Sequence, residues 1–285
     1  MLPEIDLKRG ILLMLGSILC FTLMDASAKA LTADNPPLMI VWARYAGQVF
    51  WTVLLLAPRL PRLLRTRHPG LQLTRSALLF GATLCFVLAL SRLPLASAVA
   101  VFQVAPLVTA LLAVLFLRER VGPRRWAALL VGFAGALVII RPGADLFDPF
   151  ALLPMLAATS YAAYAIVTRA LGQDEDPMTS FVYTGLFGAA VTSVALLWTW
   201  QMPASEDWWL FAALGAIGAL GQLLLILALR YAPASTLAPF LYVGLAIATV
   251  WGVLFFDEWP DAATLTGAAM IVGAGLFVWY RGRSA

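Results

Sequence analysis

The chain of 285 residues is 62% hydrophobic and only 12% charged, with a mean hydropathy of +0.90. A soluble domain of this length cannot bury that much apolar surface, so the composition excludes a water-soluble fold and places the chain in a lipid bilayer. The net charge of +4 does not indicate nucleic-acid binding, because the basic residues lie between apolar runs, as they do in membrane proteins.

Ten apolar runs, each near the ~20 residues that a transmembrane helix needs, follow one another along the chain. Proline and glycine punctuate the segments between them, as in Pro36-Pro37 and Gly122-Pro123. The predicted fold class is an all-α integral membrane protein with ten transmembrane helices. The runs cover residues 10–31, 38–57, 72–90, 96–117, 125–140, 150–171, 178–200, 208–230, 234–256 and 262–280.

The distribution of Lys and Arg predicts the orientation. If the N-terminus is cytoplasmic, the external ends of the runs hold only Lys29, Arg92 and Arg141. Cytoplasmic segments of membrane proteins carry the excess of positive charge, so both termini are predicted to face the cytoplasm. The cytoplasmic ends then hold Lys8, Arg9, Arg59, Arg62, Arg65, Arg67, Arg75, Arg118, Arg120, Arg124, Arg125, Arg169, Arg230, Arg281 and Arg283.

Two related halves follow each other at an offset of about 140 residues, with five runs each. Lys-Ala-Leu at 29–31, for example, matches Arg-Ala-Leu at 169–171. We predict two repeats, residues 1–143 and residues 144–285. Because five is odd, the second repeat crosses the membrane in the opposite sense. Inverted repeats are the architecture of secondary transporters, in which rocking helices alternate access to a midplane site.

Two matched segments carry a resemblance to a known family. They read SRLPLASAVAVFQVAPLVTALLAVLFLRERVGPRRWAALLVGFAGALVIIRPG and LRYAPASTLAPFLYVGLAIATVWGVLFFDEWPDAATLTGAAMIVGAGLFVWYR. In each, an acidic residue (Glu119, Glu258) closes the fourth helix, and a loop and a Gly-rich fifth helix follow. The chain thereby resembles the EamA-type, ten-helix branch of the drug/metabolite transporter superfamily. The segment FTLMDASAKAL, residues 21–31, is also similar to S-adenosylmethionine uptake carriers of that family.

The resemblance implies a basket of helices 1–4 and 6–9 around a central cavity, with helices 5 and 10 at its periphery. It implies export or uptake of a small organic metabolite, and it leaves the substrate open.

Charges inside the runs need a reason, because each costs at least ~2.5 kcal/mol on insertion scales. A charge that occurs in both halves, such as Lys29 with Arg169, predicts a role in the shared scaffold. Asp25 and Arg44 occur in the first half only, and each lies roughly 10 Å from the external end of its run. We expect both to line the outer half of the cavity and to pair when no substrate is bound.

The pair then has two functional interpretations and one structural alternative. Asp25 and Arg44 could bind a zwitterion, or Asp25 could accept a driving proton. Alternatively, they form a permanent ion pair that fixes helix 1 on helix 2.

Aromatic and amide side chains supply the remaining candidates, because an aromatic cavity with a few polar groups suits a small metabolite with an apolar part. The alternatives are contacts with lipid or helices for the aromatic residues and interhelical hydrogen bonds for the amides. The predicted substrate-binding residues are Asp25, Arg44, Gln48, Phe102, Gln103, Tyr161, Tyr164, Gln222, Phe240 and Tyr242.

The sequence contains no metal-ligand cluster, nucleophile–base pair or phosphate-binding loop, so we predict no cofactor and no enzymatic activity. The predicted function is secondary active transport of a small organic metabolite across a bacterial-type inner membrane. An amino-acid-like or nucleoside-like zwitterion is favoured, such as an amino acid or S-adenosylmethionine. The alternatives are an exporter of other metabolites or organic cations, a channel or receptor, and an intramembrane lipid-modifying enzyme.

The predicted partners are the small-molecule substrate, the lipid bilayer, and a coupling proton or counter-substrate, with no nucleic acid. A monomer suffices, because one chain contains both repeats, and a dimer is compatible with the sequence.

Overall fold

The computed structural model describes residues 7–117, 123–140, 149–171, 175–232 and 237–282, and all regular structure in these ranges is helical. The helices are α1 (Leu7–Leu31), α2 (Pro37–Leu56), α3 (Leu60–Leu63), α4 (Pro69–Leu90), α5 (Leu95–Phe102), α6 (Ala105–Leu117), α7 (Pro123–Ile140), α8 (Leu153–Leu171), α9 (Pro177–Thr199), α10 (Trp208–Tyr231), α11 (Val243–Phe256) and α12 (Ala262–Gly282). Turns of 3-10 helix cover Ala57–Arg59, Pro149–Leu152 and Ala238–Tyr242.

Six helical stretches in the described ranges are long and apolar enough to cross a membrane: Leu7–Leu31, Pro37–Leu63, Pro69–Leu90, Pro149–Thr168, Pro177–Thr199 and Trp208–Ala228. Shorter apolar helices cover Leu95–Thr109, Trp126–Ile140, Phe240–Phe256 and Ala262–Phe277. The prediction of an all-helical membrane fold is confirmed. Ten crossings and cytoplasmic termini stay predictions, and the predicted boundary between the repeats, at 143/144, lies outside the described residues.

Proline sets the start of several helices. Pro37, Pro69 and Pro177 each occupy the first turn of α2, α4 and α9, where the missing N–H is not needed for an intrahelical bond. Asp176 also caps α9, because its Oδ1 accepts a hydrogen bond of 2.9 Å from the backbone N–H of Met178. The prolines between the apolar runs thus mark the starts of these helices.

The main contacts between the two halves come in matched pairs, in which each helix is replaced by its counterpart from the other half. The helix α1 packs along α10, while α8, the counterpart of α1, packs along α4, the counterpart of α10. In the same way α2 contacts α10 and α4 contacts α9, while α7 and α12 pack against each other. A pseudo-two-fold axis gives this pattern. The two halves therefore interlock in one bundle.

Glycine permits the closest helix crossings. A Cβ at Gly135 of α7 would lie 2.7 Å from the carbonyl oxygen of Gly267 in α12, and a Cβ at Gly267 would meet the carbonyl oxygen of Gly135. Where α2 crosses α10, a Cβ at Gly47 would lie 2.5 Å from the Cα of Gly215. Only a residue without a side chain lets these backbones approach so closely.

The runs 96–117 and 234–256 are predicted as single helices, but the structure interrupts both. In the first half α5 ends at Phe102 and α6 begins at Ala105. In the second half a 3-10 turn precedes α11. Pro106 and Pro239 explain the interruptions, because proline lacks the backbone N–H that a continuous helix needs.

The two interruptions lie next to each other in the bundle. Gln103 follows the end of α5, and its Nε2 donates a hydrogen bond of 2.9 Å to the carbonyl oxygen of Leu241 in the 3-10 turn. This bond joins corresponding elements of the two halves near the pseudo-two-fold axis. Interrupted helices are a recurring feature of transporter sites.

Candidate functional site

A polar cavity of about 40 Å³ lies inside the bundle, between α1, α2, α4, α8, α9 and α10. It brings together four of the predicted site residues, from three helices of both halves: Arg44, Gln48, Tyr164 and Gln222. The other lining residues are Phe21, Tyr45, Arg75, Leu79, Phe181, Thr184 and Gly218. A space of this size holds a few water molecules at most, so a metabolite would enter only when the lining helices separate.

A larger apolar crevice of about 340 Å³ lies between α2, α9 and α10. Leu55 and Leu220, which line it, are strongly exposed at the surface of the bundle. Phe181 lines both this crevice and the polar cavity. The apolar crevice therefore belongs to the surface that lipid chains cover, and the polar cavity is the candidate substrate site.

Arg75 is a functional candidate that the sequence analysis misses. The charge pattern predicts it at the cytoplasmic end of the third run, whereas the structure places it inside α4, where it is 6% exposed and lines the polar cavity. Its guanidinium donates hydrogen bonds to Thr168 Oγ1 (2.8 Å), Ser180 O (3.0 Å), Thr184 Oγ1 (3.0 Å) and Tyr164 Oη (2.6 Å). Its Cζ also lies 4.5 Å from the centre of the Tyr164 ring.

The spacing of polar residues in α4 is the signal that points to Arg75. Gln72, Arg75 and Ser76 share one helical face, and the structure buries all three. Leu73, on another face, is half exposed. A polar face buried behind an apolar outer face indicates a bundle interior that holds polar groups. Gln72 Oε1 and Ser76 Oγ have no hydrogen-bond partner in the described part of the chain.

Asp25 is half-buried in α1 and lies outside the lining of the polar cavity. The charge of Arg44 acts on its carboxylate, but the two side chains form no ion pair in this structure. Within the described ranges Asp25 also accepts no hydrogen bond, and Arg44 instead places its guanidinium carbon 5.9 Å from the centre of the Tyr45 ring. The contact expected without substrate is thus absent, and no residue that the structure describes pairs with the Asp25 carboxylate.

The predicted amides differ in their partners. Gln48 of α2 donates to the carbonyl oxygen of Phe181 in α9 at 3.0 Å, and Gln103 bonds to Leu241, so both tie helices together. Gln222 of α10 lines the cavity and makes no hydrogen bond with any residue that the structure describes. Of the three amides, Gln222 is therefore the one whose donors and acceptor remain available to a substrate.

Three of the predicted aromatic residues, Phe102, Tyr161 and Tyr164, form with Phe86 a chain of ring contacts that leads to the cavity. Phe86 contacts Phe102 at 5.3 Å between ring centres, Phe102 contacts Tyr161 at 5.5 Å, and Tyr161 contacts Tyr164 at 5.5 Å. Only Tyr164 of these lines the polar cavity. Phe102 and Tyr161 therefore extend an aromatic wall from the Arg75 guanidinium toward the interruption after α5.

Phe240 and Tyr242, also predicted in the site, lie elsewhere. Phe240 packs against an apolar cluster that includes Met14 and Ile18 of α1. Tyr242 packs over Gly275 of α12, where no side chain larger than hydrogen fits beneath its hydroxyl. Neither lines the polar cavity, and both make packing contacts with neighbouring helices.

Lys29 belongs to a separate cluster at the predicted external end of the bundle. Its Nζ forms an ion pair of 2.9 Å with Glu258 Oε1 and donates a hydrogen bond of 2.7 Å to the carbonyl oxygen of Leu93. The other carboxylate oxygen, Oε2, accepts a hydrogen bond of 2.8 Å from the N–H of Leu95. This cluster ties α1 to the turns before α5 and after α11. Of the matching residues in the other half, Glu119 lies outside the described residues.

At the opposite end Glu175 joins the loop before α4 to the start of α9. Partial burial raises the pKa of Glu175, but hydrogen bonds from Thr66, the Arg67 N–H and Gln72, together with the charge of His68, outweigh burial and lower it overall. The carboxylate therefore stays ionised at neutral pH and serves as a loop anchor. Among the described residues no group of His, Cys, Asp and Glu could hold a metal ion.

The model of the EamA-like transporter family matches residues 8–141 and again residues 149–280. One solved crystal structure is 22% identical and superposes with a TM-score of 0.67 over 97% of this chain and 98% of its own, a likeness of fold alone.

Three curated relatives are transporters. An S-adenosylmethionine uptake transporter of Rickettsia bellii is 32% identical over 222 residues, 78% of this chain and 76% of that protein. A riboflavin transporter of Brucella anthropi is 33% identical over 258 residues, 85% and 88% of the two chains. A pseudopaline exporter of Pseudomonas aeruginosa is 31% identical over 271 residues, 94% and 95%.

Proposed function

Because the chain belongs to the EamA-like transporter family, we propose that it is a secondary active transporter of a small zwitterionic metabolite in a bacterial inner membrane. One observation supports this most directly. Helices of both halves enclose a polar cavity inside an otherwise apolar bundle, and Arg44 lines it within electrostatic range of Asp25. Unrepeated intramembrane charges of opposite sign suit a substrate that carries both charges.

The substrate class is an amino-acid-like or nucleoside-like zwitterion. A guanidinium at Arg44 would bind a carboxylate, and the unpartnered carboxylate of Asp25 would bind an ammonium group. A metabolite such as S-adenosylmethionine carries both groups. The names of the three relatives include uptake and export, so the proposal covers either direction.

The interlocked halves support alternating access as the mechanism. In the outer half of the bundle, the Lys29–Glu258 pair holds α1, α5 and α11 together. The interruptions at Gln103 and at the 3-10 turn supply places where the runs 96–117 and 234–256 can bend. Rocking one set of helices against the other would open the cavity to one side of the membrane at a time. A proton taken up by Asp25, or exchange with a counter-substrate, would supply the driving force.

A second candidate is an uncharged metabolite with a planar ring system. The aromatic wall from Phe86 to Tyr164 favours it, and one relative is a riboflavin transporter. For this class the rings would stack on the substrate, and the charges of Asp25 and Arg44 would contribute little.

Uptake into proteoliposomes tests the two candidates. Purified protein would be reconstituted, and radiolabelled amino acids, S-adenosylmethionine and riboflavin offered to vesicles loaded with the same compound unlabelled. We expect counterflow of a zwitterion that Arg44→Gln abolishes, while Arg62→Gln, on the exposed face of α3, leaves it intact. Riboflavin counterflow alone, unaffected by Arg44→Gln, would favour the second candidate.

A further inference from the structure

We infer that Arg75 is a substrate-binding residue that receives a carboxylate, so that the transporter accepts metabolites with a carboxylate and rejects close analogues without one. The inference rests on the proposed function, and it adds a residue and a chemical requirement to it. Arg75 is the seventh residue of α4, on the side of the polar cavity away from the predicted external end.

The charge of Arg75 is buried without a counter-charge. The residue is 6% exposed, and its hydrogen-bond acceptors are hydroxyl and carbonyl oxygens, all of them neutral. No carboxylate in the described part of the chain forms an ion pair with it. A buried guanidinium among neutral acceptors is costly unless an anion completes its surroundings, and a substrate that carries a carboxylate would supply that anion.

The hydrogen bonds of Arg75 leave one N–H of its guanidinium available for a ligand. A guanidinium has five N–H groups. Nε bonds to Thr168, Nη1 to Ser180 and Thr184, and Nη2 to the hydroxyl of Tyr164, which uses one of the two N–H groups on Nη2. The remaining N–H is on the nitrogen beside Tyr164, and both residues line the cavity. A carboxylate oxygen accepts such a bond readily.

The site is fixed before a ligand arrives. The hydroxyls of Tyr164 and Thr168 come from α8, and the carbonyl oxygen of Ser180 and the hydroxyl of Thr184 come from α9. Together they hold the guanidinium of α4 in place. A preorganised donor loses little conformational entropy when it binds. Arg75 lies in the first half, and the residues that accept its hydrogen bonds lie in the second. An anion bound to Arg75 would therefore affect the contact between the two halves.

Arg75 is also a charge that only one half carries. At an offset of about 138 to 140 residues its counterpart falls at 213–215, which reads Ala-Leu-Gly. Scaffold charges such as Lys29 recur in the other half, but Arg75 does not. The same asymmetry marks Arg44, which lines the same cavity, and Asp25, on whose carboxylate the charge of Arg44 acts.

The charge balance of this region favours a carboxylate over a phosphate. Arg44, Arg75 and Asp25 together carry one net positive charge when all are ionised. A single carboxylate on a zwitterion, with its ammonium on Asp25, satisfies both signs. A phosphate dianion without an ammonium group would engage the two guanidinium groups but would leave the Asp25 carboxylate without a counter-charge.

Matched pairs of ligands test the inference. The melting temperature of the purified protein in detergent, and its counterflow in proteoliposomes, would be measured with each member of two ligand pairs. The pairs are methionine with methioninamide, and S-adenosylmethionine with its decarboxylated analogue. A third pair, riboflavin with riboflavin 5′-phosphate, would show whether the site binds a phosphate. We expect the carboxylate member of a pair to bind and its analogue to fail. In Arg75→Gln the affinity for the carboxylate member should fall about 10- to 100-fold.

Two variants keep the result interpretable. Arg75→Lys retains the charge, so we expect it to recover part of the binding that Arg75→Gln loses, even where both lower the melting temperature without ligand. Arg62→Gln removes an exposed charge and should match wild type.

Equal binding of both members of each pair to wild type, or unchanged discrimination in Arg75→Gln, would overturn the inference. Counterflow of riboflavin without binding of any carboxylate probe would overturn it while leaving the transporter function intact. Selective binding of riboflavin 5′-phosphate would replace the carboxylate by a phosphate and overturn it likewise. An absence of binding and counterflow with every probe would count against both the inference and the proposed function.

Discussion

At the scale of single residues, the partners of each intramembrane charge separate scaffold from site. Lys29 has a carboxylate and a carbonyl oxygen within hydrogen-bond distance. Arg75 has neutral partners only, and Asp25 has neither an ion pair nor a hydrogen bond with the described residues. A charge that the protein has already satisfied stabilises the fold, while one that it leaves unsatisfied is available for a ligand or a proton.

Asp25→Asn should leave the protein folded and remove any dependence of transport on a pH gradient. The folded state loses no ion pair, so we expect the melting temperature in detergent to stay within a few degrees of wild type. Uptake would be measured with and without an imposed pH gradient, and counterflow would serve as the control for substrate binding. If the variant responds to the gradient as wild type does, Asp25 is not the proton acceptor.

Lys29→Met should destabilise the protein by about 1–3 kcal/mol, because Glu258 loses its cation while remaining largely buried. The two side chains are 12% and 22% exposed, which leaves water little access to the orphaned carboxylate. Adding Glu258→Gln should recover part of the loss, and thermal melting of the single and double variants measures it. Additive losses in the double variant would show that the pair is not coupled.

At the scale of helices, the sequence predicts where apolar segments lie but not where they bend. The runs 96–117 and 234–256 are apolar throughout, so hydropathy does not distinguish a straight helix from one that Pro106 or Pro239 interrupts. Residues such as Arg44, Gln48 and Gln222 could be predicted because an apolar run offers polar groups no other place than the bundle interior.

Other features of the site lay beyond the sequence. Arg75 was predictable only with the helix boundary known, since a basic residue near the start of a run is indistinguishable from a loop charge. The roles predicted for Phe240 and Tyr242 stay predictions, since neither residue belongs to the lining of the polar cavity.

Gly267→Ala should lower the free energy of unfolding by about 1–3 kcal/mol, because the added Cβ meets the carbonyl oxygen of Gly135 at the α7–α12 crossing. Gly273 of the same helix has open space around a Cβ, so Gly273→Ala is the matched control and should stay within about 0.5 kcal/mol of wild type. Melting in detergent compares them. Equal stability of the two variants would contradict the close crossing.

At the scale of the whole molecule, the repeats of the sequence do not correspond to separately packed halves. The helix α1 has its most extensive contact with α10, and α8 has its own with α4. The sequence could show that the halves are related, but the choice of partner depends on the shape of helix faces and on glycine positions that hydropathy does not register.

Residues 1–143 and residues 144–285, expressed as separate chains, should each fail to form a monodisperse protein, because each lacks the partner of its longest contacts. Co-expression of the two chains should restore a complex that purifies through a tag on either one. Gel filtration of each half and of the pair measures this. A half that elutes alone as a stable monomer would contradict the interlocked packing.

The α1–α10 contact also dictates an order of assembly during synthesis. The helix α1 leaves the ribosome long before α10. It must therefore remain in the bilayer with the face that later contacts α10 covered only by lipid. Mean hydropathies of 1.9 for the α1 segment and 2.3 for the α10 segment make each one stable in the bilayer before they meet. The final bundle therefore closes late, when α10 arrives and displaces lipid from α1. A folding defect in α10 would be expected to expose α1 to membrane proteases.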